Sequence, residues 1–197
     1  MAVSLYGVRP LTAAETGAAV RKAWTRAPGT HPTNLTAEAT LRRVADFLEA
    51  NNMDEVIKSF EPNNRNIHAF LGGGLDDMLR SILVTAFRSA SLVKSGWWKE
   101  SHGGVMDEYR LFKGLIRDPR GIERDDYVAI RMVKINECSM SVMMGIHDPG
   151  EWIIFDWGQG FSEKDPKDHD VLAELPKDYH CSPTQPPHAT EPSRPAR

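Results

Sequence analysis

Three side chains in the C-terminal half are of types used in acid–base or metal chemistry. His147 and Asp148 are adjacent, just before Pro149-Gly150, and Asp156 follows in an apolar segment. A histidine beside a carboxylate can transfer protons or bind a metal ion. The H-x-D and H-E-x-x-H spacings of metal sites are missing, so we predict no bound metal. His-Asp-Pro-Gly is typical of a turn, and the three side chains remain candidates for a small transferase or hydrolase.

Cys138 is a candidate nucleophile, because a cysteine with a lowered pKa and a base within reach can attack a substrate. Our interpretation places it at a hairpin turn before a strand over Ser139–Ile146. His147 would then lie roughly 30 Å away along the strand, too far to act as the base. The alternative is a short helix that begins at Cys138, as in papain-like amidases, and the methionine-rich alternation disfavours it. We predict that Cys138 and Cys181 are free thiols in a reducing compartment.

A glycine triplet, Gly72, Gly73 and Gly74, precedes a predicted helix. Free backbone N–H groups at such a helix start can bind a phosphate. The Lys-Ser/Thr pair of a P-loop does not follow, and Asp76 and Asp77 place negative charge where the anion would lie. We therefore favour a flexible entry to a buried helix, with a ligand-binding loop as the alternative, and we predict no cofactor.

Trp97 and Trp98 are adjacent in a predicted loop that follows the end of a helix. Adjacent loop residues rarely both point inward, so we expect one of the two indole rings to be exposed. Exposed tryptophans dominate the energetics of many protein interfaces. The sequence therefore predicts a partner-binding surface formed by Trp97, Trp98 and His102. The alternative is that one or both rings cap the core.

The segment Glu151–Gly158 resembles the metal-binding hairpin of kinase-like phosphotransferases, in which Asp-Phe-Gly or Asp-Trp-Gly follows an apolar strand. The resemblance implies that Asp156 is a metal ligand. The catalytic aspartate and the second metal-binding asparagine of that family would fall near Asn136 and Ser141. The His-x-Asp motif and the Gly-rich loop with its strand lysine are not evident. The resemblance therefore implies at most a degenerate kinase-like phosphotransferase.

Helical periodicity precedes these motifs. The clearest helix begins at the cap Thr36, carries the apolar stripe Leu41, Val44, Ala45 and Leu48, and ends at Asn51-Asn52. We predict another helix over Thr12–Arg26 and a third from Leu75 to Gly96. The segment Asp54–Phe60 fits either a helical turn or a strand.

The hydrophobic period then changes from helical to alternating, which predicts four strands. Their bounds are Glu108–Ile116, Asp126–Ile135, Ser139–Ile146 and Glu151–Trp157. Short links require antiparallel neighbours, with one face of the sheet covered and the other more open. The predicted fold is α+β: three N-terminal helices on one face of a four-stranded antiparallel β-meander.

Composition sets the domain limits and excludes some classes of function. The chain has 197 residues and a formal net charge of −3, which disfavours nucleic-acid binding. We predict a single domain over residues 1–162 and a charged, then proline-rich, disordered tail over 163–197. A leader-like apolar segment and a membrane-length apolar run are both missing, so we expect a soluble, cytoplasmic protein without membrane contact, with export by a route that uses no cleaved signal as the alternative.

These features favour a non-catalytic protein-binding module, that is, an adaptor, an accessory factor or a neutralising partner of another protein. The tryptophan pair and the tail offer recognition surface. The alternative is the small transferase or hydrolase near the last hairpin, with Asp156, His147 and Asp148 as its residues.

Overall fold

The computed structural model describes residues 32–60, 77–99, 105–116, 126–143, 145–159 and 171–181. The predicted helix Thr12–Arg26 lies outside these residues. Within them the chain forms four helices and five strands, which we number in chain order. The helices are α1 (Ala37–Glu49), α2 (Met53–Lys58), α3 (Asp77–Arg88) and α4 (Met140–Met143). The strands are β1 (Ser91–Lys99), β2 (Met106–Ile116), β3 (Asp126–Lys134), β4 (Trp152–Gln159) and β5 (Val171–Leu172).

Helix α1 forms as its sequence predicts. The Thr36 hydroxyl accepts a hydrogen bond from the Ala39 N–H at 3.2 Å, which satisfies a backbone donor that the first turn leaves unpaired. The stripe Leu41, Val44, Ala45 and Leu48 is buried. Asn51 adopts a φ of 53°, the left-handed conformation that ends many helices. Local chemistry therefore determines both ends of this helix.

Helix α2 resolves the ambiguous segment Asp54–Phe60. Its last residues leave the helix and meet the sheet: Phe60 forms a parallel bridge with Ile154, and the Ile154 N–H donates to the Ser59 carbonyl at 2.8 Å. The chain after α2 therefore lies along the outer edge of β4.

The predicted third helix ends earlier than expected, and the prediction that it runs to Gly96 is wrong. Helix α3 ends at Arg88, and the next residues form β1, which pairs with β2. The Ser89 hydroxyl fixes this junction, because it donates to the Thr85 carbonyl at 2.7 Å and accepts from the Leu115 N–H at 2.9 Å. Sheet pairing thus overrides the apolar period that continued past Phe87.

The predicted strand Ser139–Ile146 is also wrong. This segment contains the short helix α4, and the Val142 N–H donates to the Ser139 carbonyl at 3.0 Å. Gly145 follows with a φ of 66°, a conformation that a strand does not use. The loop closes where the Ile135 N–H donates to the Glu151 carbonyl at 2.9 Å. Strands β3 and β4 are therefore direct neighbours.

The sheet has five antiparallel strands in the order β4-β3-β2-β1-β5, and the fold is α+β. The meander topology is as predicted, but β1 takes the place of the predicted strand 139–146 and β5 is added. Helices α1, α2 and α3 cover one face, where Phe112, Ile130 and Ile154 join the main core.

The other face of the sheet is also buried, against the expectation of an open face. A second cluster lies there, with Tyr109, Leu111 and Val133 each 1% exposed. Val142 of α4 and Val171 of β5 pack against it. The segments that leave the meander therefore fold back over this face.

The predicted disorder of residues 163–197 does not hold for 171–181. Leu172 pairs with Trp97 and Val171 with Trp98, and the Tyr179 hydroxyl accepts from the Met106 N–H at 3.0 Å. The segment is mostly polar, so its two apolar residues, Val171 and Leu172, were not predicted to add a strand to the sheet. Among the described residues, no helix is long and apolar enough to cross a membrane.

Gly114 sets the distance between α3 and β2. A Cβ atom at this position would lie 2.5 Å from the Ala86 carbonyl oxygen, closer than real contacts allow. We expect Gly114→Ala to reduce the free energy of unfolding by about 1–3 kcal/mol, because helix and strand must separate. Chemical denaturation measures this loss.

Gly158 provides the matched control, since an added Cβ there would meet nothing within 4 Å. Gly158→Ala should change stability by less than about 0.5 kcal/mol. Equal effects of the two substitutions would contradict close packing at Gly114.

Candidate functional site

One edge of strand β1 pairs with another strand along its length, and the other edge pairs over only two residues. Strand β1 pairs with β2 along its length, whereas β5 pairs only with Trp97 and Trp98 on the other side. Among the described residues, no strand pairs with 91–95 on that side. All five of these residues are exposed, and Leu92 and Val93 are 49% and 40% exposed. Unpaired backbone groups and apolar side chains therefore face solvent together, as on strand edges that bind other chains.

A β-bulge shapes this open edge. Leu92 pairs with Phe112 and Lys94 with Leu111, so that Val93 is an extra residue without a counterpart on β2. Bulges and edge lysines disfavour the pairing of identical edges. Strand β1 carries Lys94 and Lys99 and no carboxylate. Its charge therefore suits an acidic segment of a different chain better than a second copy.

The two predicted anchor residues lie on β1 rather than in a loop, and both are half-buried. The Trp98 ring meets Phe155 with a centroid distance of 4.5 Å and packs against the second cluster. Trp97 points to the opposite face, because successive strand residues alternate. Trp98 therefore supports the core, and the exposed apolar surface of β1 lies at Leu92 and Val93. His102 lies outside the described residues.

Asp156 lies within β4, opposite Arg131 of β3. The Arg131 side chain is 2% exposed, and its Nη1 lies 3.5 Å from Asp156 Oδ2. Burying a guanidinium requires a compensating carboxylate. The carboxylate that resembled a kinase metal ligand is thus an ion-pair partner of a buried arginine.

His147 is buried in the loop before β4. Its Nδ1 lies 3.3 Å from Glu151 Oε2, which also accepts from the Asp148 N–H at 3.2 Å. These contacts close the turn over 147–151. Asp156 lies five residues beyond Glu151, about 15 Å along an extended strand. The structure therefore does not gather His147 and Asp156 into one site.

Cys138 and Cys181 form a disulfide, with their Cα atoms 6.0 Å apart. The prediction of two free thiols is wrong, because β5 and Tyr179 bring the C-terminal segment back to the sheet. Cys138 therefore has no thiol to act as a nucleophile, and the short helix after it begins at Met140 rather than at Cys138. The cysteine-based reason for a reducing compartment no longer applies.

Asn136 organises the surroundings of the disulfide. Its backbone N–H donates to Asp107 Oδ1 at 2.8 Å, and its side-chain Nδ2 donates to the Met106 carbonyl at 3.3 Å. Its Oδ1 accepts from the Cys138 N–H at 3.0 Å. One asparagine thus joins the start of β2, the loop after β3 and the disulfide. The sequence offered only a turn-type dipeptide, Asn136-Glu137, as its signal.

A shallow depression lies between α1, α2 and the start of β4. Arg43, Glu55 and Glu151 contribute charges to its wall, and the Arg43 guanidinium lies 5.1 Å from the centre of the Phe47 ring. The candidate residues Asp156 and Cys138 do not line it. The glycine triplet 72–74 lies outside the described residues. Among the described residues, no three His, Cys, Asp or Glu side chains could hold a metal ion together.

A polar cluster joins α1 to the sheet. Arg110 lies 3.3 Å from Glu38 and 3.2 Å from Glu108, and its guanidinium carbon is 4.8 Å from the centre of the Trp152 ring. Burial raises the pKa of Glu38, but hydrogen bonds from its own backbone, from Thr36 and from Arg110, with the charge of Arg110, lower it below the usual 4.5. This cluster was not predicted, because its signal in the sequence is only the two charges of Glu108 and Arg110 on one face of β2.

Comparison with models of protein families, with curated proteins and with solved structures found no match. The function must therefore be inferred from the geometry of this chain.

We expect Trp98→Ala to lower the free energy of unfolding by about 2 kcal/mol, because half-buried indole surface leaves the second cluster. Trp97→Ala should have a smaller effect, since Trp97 belongs to neither cluster of the described residues. Urea denaturation compares the two variants. A larger loss for Trp97→Ala would contradict the assignment of Trp98 to the core.

Glu38→Gln should destabilise the protein at neutral pH and not in acid. A carboxyl with a lowered pKa in the folded protein contributes stability above its unfolded pKa, which is lost as pH falls through the folded value. The difference between wild type and Glu38→Gln should therefore shrink as pH falls below the usual glutamate value of 4.5. Thermal unfolding across pH 3–7 measures it, with the exposed Glu137→Gln as control. A constant difference would contradict the ion pair.

Proposed function

We propose that this protein is a protein-binding module, which accepts an extended segment of another protein as an added strand beside β1. The observation that carries the proposal is the open edge over 91–95, where all five residues are exposed. Adding a strand gives backbone hydrogen bonds to groups that otherwise face water, while side-chain contacts supply specificity. Adaptor, accessory and neutralising proteins can all use such an edge.

Strand β5 supports this mode of binding, because it is a strand added to the same edge from within the chain. It pairs antiparallel with Trp97 and Trp98 and stops where residue 173 bends away. Lys177 and Tyr179 come after this bend. Among the described residues, no strand therefore pairs with this edge of β1 from Ser95 back to Ser91. A partner segment would extend the line of β5 along β1.

The edge also defines the chemistry of the partner. Leu92 and Val93 provide apolar contacts, and Lys94 attracts a carboxylate. The partner segment is therefore extended, apolar and acidic. The bulge at Val93 disfavours self-pairing, since two copies would place bulge against bulge. We find no observation in the described residues that favours the transferase or hydrolase alternative.

A photo-crosslinking residue at Val93 tests the proposal. In extracts of the native cells it should capture one dominant protein, and the same residue at Met78 should not. Met78 is the matched control, because it is 54% exposed but lies on α3.

The captured protein is then purified, and its affinity is measured by calorimetry. Val93→Asp with Lys94→Glu should weaken binding at least tenfold, about 1.4 kcal/mol, because both changes repel an acidic segment. Met78→Asp should leave the affinity unchanged. Equal capture at Met78, or equal affinity of the edge variant, would rule out binding at β1.

A further inference from the structure

Residues 171–181 form a strap over one end of the sheet. Strand β5 lies at one end of the strap, beside Trp97 and Trp98. Tyr179 hydrogen-bonds to Met106, the first residue of β2. Cys181 ends the strap in its disulfide with Cys138. The strap therefore covers the half of the β1 edge that adjoins the proposed docking half.

The sequence of β1 makes room for the strap. A Cβ atom at Gly96 would lie 2.5 Å from the Leu172 carbonyl oxygen and 2.7 Å from Val171 Cγ1. Only a residue without a side chain lets β5 approach this closely. Gly96 is the buried residue of β1, where its five N-terminal neighbours are exposed. The glycine at position 96 of β1 therefore permits the close approach of β5 at this point.

The strap contributes little to either apolar cluster. The main cluster contains no strap residue, and the second cluster has only the partly buried Val171 from it. The exposed strap residues are Leu172, Ala173, Glu174, Pro176, Lys177, Asp178 and His180. Among the described residues, the strap is held by two strand pairs, the packing of Val171, the Tyr179 hydrogen bond, the contact of Cys181 Sγ with Asn136 Oδ1 at 3.0 Å and the disulfide. The disulfide is the only one of these that chemistry can switch.

We propose that the Cys138–Cys181 disulfide is a reversible latch, which holds the strap over Trp97 and Trp98 and releases that half of the β1 edge when it is reduced. The inference rests on the proposed function, because the released half continues the docking edge. Oxidised protein offers residues 91–95 to a partner strand. Reduced protein offers the edge of β1 over 91–98.

The latch opens by thiol–disulfide exchange with a dithiol reductant. A thiolate of the dithiol attacks Sγ of Cys181, which is partly exposed, whereas Cys138 is 1% exposed. The Cys138 sulfur leaves as a thiolate and takes a proton. The second thiol of the reductant then displaces Cys181, so that two cysteine thiols form and the dithiol becomes a disulfide. Two electrons and two protons pass from reductant to protein.

Amide hydrogen exchange and trypsin test the latch on the full chain, without any partner. Reduction by dithiothreitol should raise exchange by at least roughly tenfold at the N–H group of Trp97 or Trp98 that points toward β5, and leave β2 and β3 protected. Cleavage after Lys177 should become faster. Unchanged exchange at that group would overturn the latch, as would loss of protection throughout the sheet, which would make the disulfide a staple of the whole fold.

Gly96→Ala releases the strap without touching the cysteines. In the oxidised variant, exchange at the N–H group of Trp97 or Trp98 that points toward β5 should rise as it does on reduction, because the added Cβ displaces Leu172. Gly158→Ala serves as the control. Unchanged exchange in Gly96→Ala would also overturn the latch. Failure here leaves binding at 91–95 untouched, since the Val93 and Lys94 variants test that edge in the oxidised protein.

Discussion

The antiparallel register between β1 and β2 determines most of what this structure offers to a partner. Because Gly96 lies opposite Tyr109, the following residues Trp97 and Trp98 lie opposite Glu108 and Asp107 and take opposite faces. The same register places Gly96 beside Val171 and Leu172 of β5. The bulge at Val93 interrupts the pairing with β2 in the exposed part of β1. A register shift of one residue would move each tryptophan to the opposite face of the sheet. It would also place a side chain where Gly96 now leaves room for β5.

The sequence predicted elements whose signals are local. Thr36, the stripe of α1 and Asn51 belong to one helix, and alternation in β2 and β3 is continuous. Strand β1 was missed because its residues follow an apolar helix without a break in composition, and only pairing with β2 decides their conformation. The Met-Ser alternation after Cys138 fits a strand, yet Gly145 and the closure at Ile135 and Glu151 turn it into a loop.

The candidate catalytic residues were predicted from their types, and the roles of Asp156 and Cys138 depend on partners far away in sequence. His147 closes a local turn with Glu151, four residues on, whereas Asp156 offsets the buried charge of Arg131, 25 residues away. Cys138 forms a disulfide with Cys181 across a separation of 43 residues. Non-local pairs of this kind leave no periodic signal, so they could not be predicted. The proposed binding surface lies only a few residues from the predicted one, at Leu92 and Val93 rather than at Trp97 and Trp98.

The open edge of β1 is the basis of the proposed function, and NMR amide exchange of the oxidised protein measures it residue by residue. The backbone N–H groups of Ser91–Ser95 that point away from β2 should exchange quickly, as unpaired edge groups do. Those of Trp97 and Trp98 should exchange slowly beneath β5. Slow exchange throughout Ser91–Ser95 would show that the edge is already covered, and would contradict the account of a strand-accepting module.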